Sequence, residues 1–163
     1  MLALIRRFAA ITVLRAGPQD LPASRLLLRL LILLYVVSNG VMLESLYGLG
    51  QALMQAAAGA ASLLLFTLIL LWRRYFTRIT QTLTALFGIG ILFTLMFWPL
   101  LAVDALPDDL RTLLTLGLLA WSLLAMGHVL ARALEWPLAG GFVLALCYDL
   151  ISYYLTAMLL PAA

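Results

Sequence analysis

Long apolar stretches broken by short polar clusters dominate this chain. Five of them, at about residues 26–47, 50–72, 80–103, 108–131 and 138–160, are each long enough to cross a hydrocarbon core as a helix, which takes about 20 residues. The breaks carry physical signatures of helix ends. Gly48 and Gly50 permit a tight turn after the first span. Arg73, Arg74 and Arg78 separate the second from the third. Pro107 with Asp108 and Asp109 opens the fourth, a proline at the start and acids at the positive end of the helix dipole. Trp136 and Pro137 open the fifth in the same way. The pattern predicts an all-α membrane protein, a five-transmembrane-helix antiparallel bundle with short loops and no soluble domain on either face. Residues 1–25 form an N-terminal segment ahead of a single transmembrane domain, 26–163.

That N-terminal segment holds an apolar run, Phe8 to Leu14, too short to span and flanked by Arg6, Arg7 and Arg15. We read residues 2–15 as an interfacial amphipathic helix whose arginines reach lipid headgroups. A cleaved signal or a disordered segment are the alternatives, although no convincing cleavage site follows Arg15.

Composition points to the same solvent. Hydrophobic residues make up 66% of the chain, charged residues 10%, and mean hydropathy is +1.13. A soluble domain cannot bury that much apolar surface, so lipid must face it. All ten basic residues are arginines. Nine fall on one side of the predicted spans; only Arg111 falls on the other, with Glu44, Asp104, Asp108 and Asp109. This asymmetry predicts the N-terminus in the cytoplasm and the C-terminus outside. Trp72, Tyr75 and Trp136 suit an inner aromatic belt, Tyr47 and Trp98 an outer one. Arginines at membrane boundaries do not make a nucleic-acid-binding patch. Richness in arginine, alanine and leucine without lysine suggests a GC-rich bacterium, and hence its cytoplasmic membrane.

Because lipid is as apolar as leucine, small and polar residues choose the helix contacts. The second span offers Ala52, Ala56 and Ala60; the third Thr84, Gly88 and Gly90; the fourth Gly117 and Ala120; the fifth Gly140, Gly141 and Ala145.

Asp149 is the most informative residue, because a carboxylate deep in a membrane costs on the order of 2.5 kcal/mol or more when it faces lipid. Counting about 1.5 Å per residue from each boundary puts Ser38, Asn39, Thr94 and Ser122 at its level. Two readings stay open for this layer: an interhelical hydrogen-bond clasp, or a proton or ion site. His128 and Arg132 fall near the inner boundary, with His128 opposite about residue 142 and away from Asp149. Ser122 and His128 are six apart on one helix, and no G-x-S-x-G occurs, which disfavours a hydrolase. One histidine and one cysteine, Cys147, leave no usual zinc set and no disulfide within a chain. We therefore expect no catalytic residue, no metal site and no cofactor.

The five-span pattern with a basic inner N-terminus resembles the Yip1 family of small membrane proteins. Trp121-Ser122-Leu123-Leu124, then Gly127, Gly140-Gly141 and a final apolar span carry the likeness, as does Leu14-Arg15-Ala16-Gly17-Pro18 before the first span. The resemblance implies the five-span fold. Eukaryotic members act in vesicle traffic with Rab-type GTPases, but the likeness does not extend to their long cytosolic N-terminal region. GTPase binding is therefore not carried over, and no site residue is inherited. The expected role is a non-catalytic accessory subunit or scaffold and assembly factor. Its partners would be the lipid bilayer and either other membrane proteins or further copies of itself, with no nucleic acid. The alternative is a small proton- or ion-coupled transporter or channel that uses Asp149.

Overall fold

The structure, a computed structural model, describes residues 2–71, 78–102 and 106–159. They form α1 (Leu2–Thr12), a 3-10 turn (Pro18–Asp20), α2 (Arg25–Tyr47), α3 (Leu49–Leu71), α4 (Ile79–Ala102), α5 (Asp108–Leu134) and α6 (Leu138–Leu159). No strand occurs among the described residues, and α2 to α6 are each long and apolar enough to cross a membrane. Trp72, Arg73, Arg74, Tyr75 and Asp104, assigned above to loops or belts, lie outside the described residues.

Local chemistry explains the helix ends. The Ser24 hydroxyl accepts from the Leu27 N–H at 3.3 Å, capping one donor that the first turn of α2 leaves open. Gly48 ends α2 at φ 77°, a backbone conformation suited to glycine, and its N–H donates to the Glu44 carbonyl at 2.9 Å. One residue thus joins α2 to α3. At the end of α5 the structure departs from the sequence reading. The helix continues beyond 131 to Leu134 and stops at Glu135, which is left-handed with φ 58°. Arg132 is therefore in the last turn rather than in a loop. Ala133 and Leu134 are buried by this extension, and a cation favours the negative end of the helix dipole.

The spans contact one another in the cyclic order α3, α2, α4, α5, α6, and α6 meets α3 again. Sequential neighbours pack broadly in α2–α3, α4–α5 and α5–α6; α3 and α4 touch less, and α2 is the broad partner of α4 instead. α4 is the most enclosed: 56% of its apolar window is buried inside the chain, against 11% for α2 and 17% for α6. The outward faces of α2 and α6 are apolar, as a lipid-facing surface must be.

Small residues mark the closest approaches, though not all those expected. Ala52, Ala56 and Ala60 are buried along one face of α3. The tightest seam is α5–α6, where a Cβ on Gly141 would stand 2.1 Å from the Gly127 carbonyl oxygen and one on Gly127 would stand 2.7 Å from the Phe142 Cα. Gly117 has nothing within 4 Å of its Cβ position and Ala120 is exposed, so α5 packs through Gly127 and Ala131, not through that expected pair.

The N-terminal segment docks onto the bundle. Phe8, Ile11 and Thr12 are buried, while Ile5, Arg6 and Arg7 are exposed, giving α1 one bundle face and one outward face; Val13 and Arg15, just past the helix, are exposed too. Phe8 occupies the space beside Gly88 of α4 that a side chain there would fill. The Trp121 indole N–H donates to the Thr12 carbonyl at 2.7 Å, and the Gln81 amide donates to the Leu21 carbonyl at 2.7 Å. Arg7 donates to the Asp20 carbonyl, so its guanidinium is held by the chain itself, whereas Arg6 and Arg15 make no such contact among the described residues.

Candidate functional site

All five spans line a partly open cavity of about 230 Å³ at the level of Asp149. Every span contributes to it: α2 through Tyr35 and Asn39, α3 through Leu63, α4 through Phe93 and Thr94, α5 through Ser122, and α6 through Tyr148 and Asp149. Tyr35, Asn39, Thr94, Tyr148 and Asp149 lie ten (Tyr35, Tyr148) to fifteen (Thr94) positions from the starts of their helices, and Ser122 twelve from the end of α5, all counted from the end of the bundle that carries Arg25, Arg78 and Arg132, which is why one layer collects them. We call that end of the bundle the basic end.

Most polar groups in this layer are satisfied without the carboxylate. The Asn39 amide donates to the Tyr35 carbonyl at 2.9 Å, and its oxygen accepts from the Thr94 hydroxyl at 3.3 Å, joining α2 to α4. Thr94 also reaches the Gly90 carbonyl at 3.0 Å. The Ser122 hydroxyl donates to the Leu119 carbonyl at 2.8 Å. Ser38 donates to the Tyr35 carbonyl at 3.1 Å and does not line the cavity. Ser38 and Asn39 point about 100° apart on α2, and of the two Asn39 is the one that reaches the cavity. Among the described residues, no hydrogen bond ends on the Asp149 carboxylate, which is half-buried against the cavity.

Tyr148 behaves differently from its neighbour Asp149. It is buried, and its hydroxyl lies 3.1 Å from that of Ser62 and 3.3 Å from the Gly59 carbonyl. Its ring meets Phe66 at 5.1 Å between centroids, so it fastens the α3–α6 seam. Tyr35 packs edge-on against Phe87, and Phe93 edge-on against Trp121. The sequence reading missed Tyr35 and Tyr148 as members of this site. Their spacing from Asn39 and Asp149, four and one positions, was the available signal.

His128 and Arg132 are far from Asp149 and line a second, larger cavity at the basic end. His128 is buried, and its Nε2 donates to the Ala16 carbonyl at 2.9 Å. A carbonyl oxygen only accepts, so the ring carries its proton on Nε2. Gly127 lies against Phe142, which places the neighbouring His128 at the expected level of α6. Among the described residues, no three His, Cys, Asp or Glu side chains gather as a metal set would require.

Such an arrangement can hold a proton, or a small cation with one carboxylate and neutral oxygens as ligands. No family model, curated protein or solved structure matches the chain, and nothing in those comparisons bears on the Yip1-like resemblance.

Proposed function

We propose that this integral membrane protein is a small proton- or ion-coupled transporter or channel in which Asp149 accepts the proton or cation inside the bundle. The observation that carries this reading is the half-buried Asp149 carboxylate beside a cavity lined by all five spans, with Asn39, Thr94 and Ser122 already bonded elsewhere. A clasp role would instead spend the carboxylate on one of those side chains. A cavity of about 230 Å³ has room for several waters, at roughly 30 Å³ each, and intramembrane acids mark ion and proton paths. The test is flux into proteoliposomes carrying an internal pH dye or a cation dye under an imposed potential. Wild-type protein should pass protons or cations, and Asp149→Asn should not, while eluting and melting like wild type. Equal flux in both, or none in wild type, overturns the proposal.

A second reading is a non-catalytic accessory subunit or scaffold. It is favoured by the α2 and α6 windows, only 11% and 17% buried inside the chain. Such faces suit a helix of another membrane protein or a second copy as well as lipid. Co-purification in mild detergent with a stoichiometric partner would support it; an isolated, monomeric chain would speak against it. With either role go the orientation proposed from the arginine asymmetry, a bacterial cytoplasmic membrane, and membership of a Yip1-like family.

A further inference from the structure

The larger cavity, of about 800 Å³, opens at the basic end of the bundle and is independent of Asp149. Its size is within the roughly 300–1,000 Å³ range of small-molecule sites. Three segments build it: the link from α1 to the 3-10 turn, the start of α4, and the α5–α6 turn. Among the described residues its charged lining is Arg78, Arg132 and Glu135, and the Glu135 carboxylate is taken by Arg78 at 2.7 Å. Arg132 is exposed in the last turn of α5 and makes no ion pair among the described residues. The starts of α4 and α6 both border the cavity, and each brings the positive end of a helix dipole. The end of α5 opposes them, and Arg132 sits on it. Leu14, Trp136 and Leu138 supply an apolar wall beside these groups.

We infer that this cavity binds a phosphate-bearing anion, with the Arg132 guanidinium as its principal ligand and the apolar wall against the organic part. A planar guanidinium matches two phosphate oxygens at once, which an ammonium cannot do. Basic pockets between spans at a membrane boundary suit lipid phosphates, and a soluble phosphate ester presents the same oxygens.

Full-length protein in mild detergent tests the inference, by thermal unfolding and by native mass spectrometry. One arm adds phosphatidylglycerol, with zwitterionic, net-neutral phosphatidylcholine as the comparison; the other adds inorganic phosphate and glycerol 3-phosphate. One retained phosphatidylglycerol, or stabilisation by the soluble esters, is expected, and the responding arm identifies the source. Arg132→Gln should weaken the effective ligand about tenfold or more, as losing a charged hydrogen-bonding partner does. Arg132→Lys keeps the charge without the fork and should recover only part of the loss. Arg29→Gln, an exposed arginine on α2, should change nothing. Failure of both arms overturns the inference. So does a response that Arg132→Gln leaves intact, or that Arg29→Gln weakens equally. Neither result touches the flux assay on Asp149.

Discussion

The Thr94 hydroxyl of α4 donates across the helix contact to the Asn39 side-chain oxygen of α2, at 3.3 Å, while the Asn39 amide is fixed on the Tyr35 carbonyl at 2.9 Å. This link joins two spans that are not consecutive in sequence. Thr94 has a second acceptor in the Gly90 carbonyl at 3.0 Å, so its proton is not stranded if Asn39 is removed. Asn39→Leu should therefore be mild, lowering stability by about 0.6–1.7 kcal/mol, the range of single intramembrane hydrogen bonds. Thermal unfolding in detergent measures it. A loss well above that range would mean that Asn39 holds more than Thr94.

The glycines of α5 and α6 should separate sharply on substitution. A Cβ on Gly141 meets the Gly127 carbonyl oxygen at 2.1 Å, a backbone atom that can yield only if the helices part. Gly141→Ala should cost about 1–3 kcal/mol through overpacking. Gly117 has open space around it, so Gly117→Ala should be neutral or stabilising by up to about 1 kcal/mol, because alanine favours helix over glycine. Equal effects at the two positions would contradict the α5–α6 seam.

How far the sequence foretold these contacts differs by level. Span number and limits were legible because backbone groups in lipid must be bonded within helices, and the apolar lengths follow from that requirement. Depth was legible too: a fixed rise per residue brought Asn39, Thr94, Ser122 and Asp149 to one cavity. Which way a side chain points was not, since lipid-facing and bundle-facing positions are both apolar. Depth alone therefore admitted Ser38 beside Asn39 and left Tyr35 and Tyr148 unnoticed among the aromatics, while small size alone pointed to Gly117 rather than Gly127. Arg132 was read as a loop residue because a charge often ends an apolar run, whereas burial of Ala133 and Leu134 carries the helix past it.

Docking of α1 should depend on Phe8 and Trp121. Phe8→Ala empties the space beside Gly88, and Trp121→Phe removes the donor to the Thr12 carbonyl while keeping a ring near Phe93. A spin label or cysteine probe at Ile11, buried in the wild type, should become accessible in the double variant. Phe8→Ala alone should cost roughly 1–3 kcal/mol, less than the ~3–5 of a soluble core because in the undocked wild type the ring rests in lipid rather than in water. An Ile11 probe already accessible in the wild type would contradict the docked position.

The arginine asymmetry yields a topology test. A C-terminal alkaline phosphatase fusion should be active and a C-terminal green fluorescent protein fusion dark, as an external C-terminus requires. The reverse pattern would invert the orientation and place the basic end outside.

Tyr148 and Asp149 are adjacent on α6, and their substitutions should fail in opposite ways. Tyr148 spends its hydroxyl on Ser62 and Gly59 across the α3–α6 seam, so Tyr148→Phe removes a hydrogen bond that holds two helices. The ring stays against Phe66, which limits the loss to about 0.6–2 kcal/mol. Any flux should persist at temperatures where the variant is folded. Asp149 spends no such bond among the described residues, so Asp149→Asn should leave the melting temperature near wild type while removing flux. Asp149→Leu should do the same, and the added apolar group in the cavity should not loosen the bundle. If Asp149→Leu instead destabilises more than Tyr148→Phe does, the carboxylate is a structural fastening and the transport reading falls.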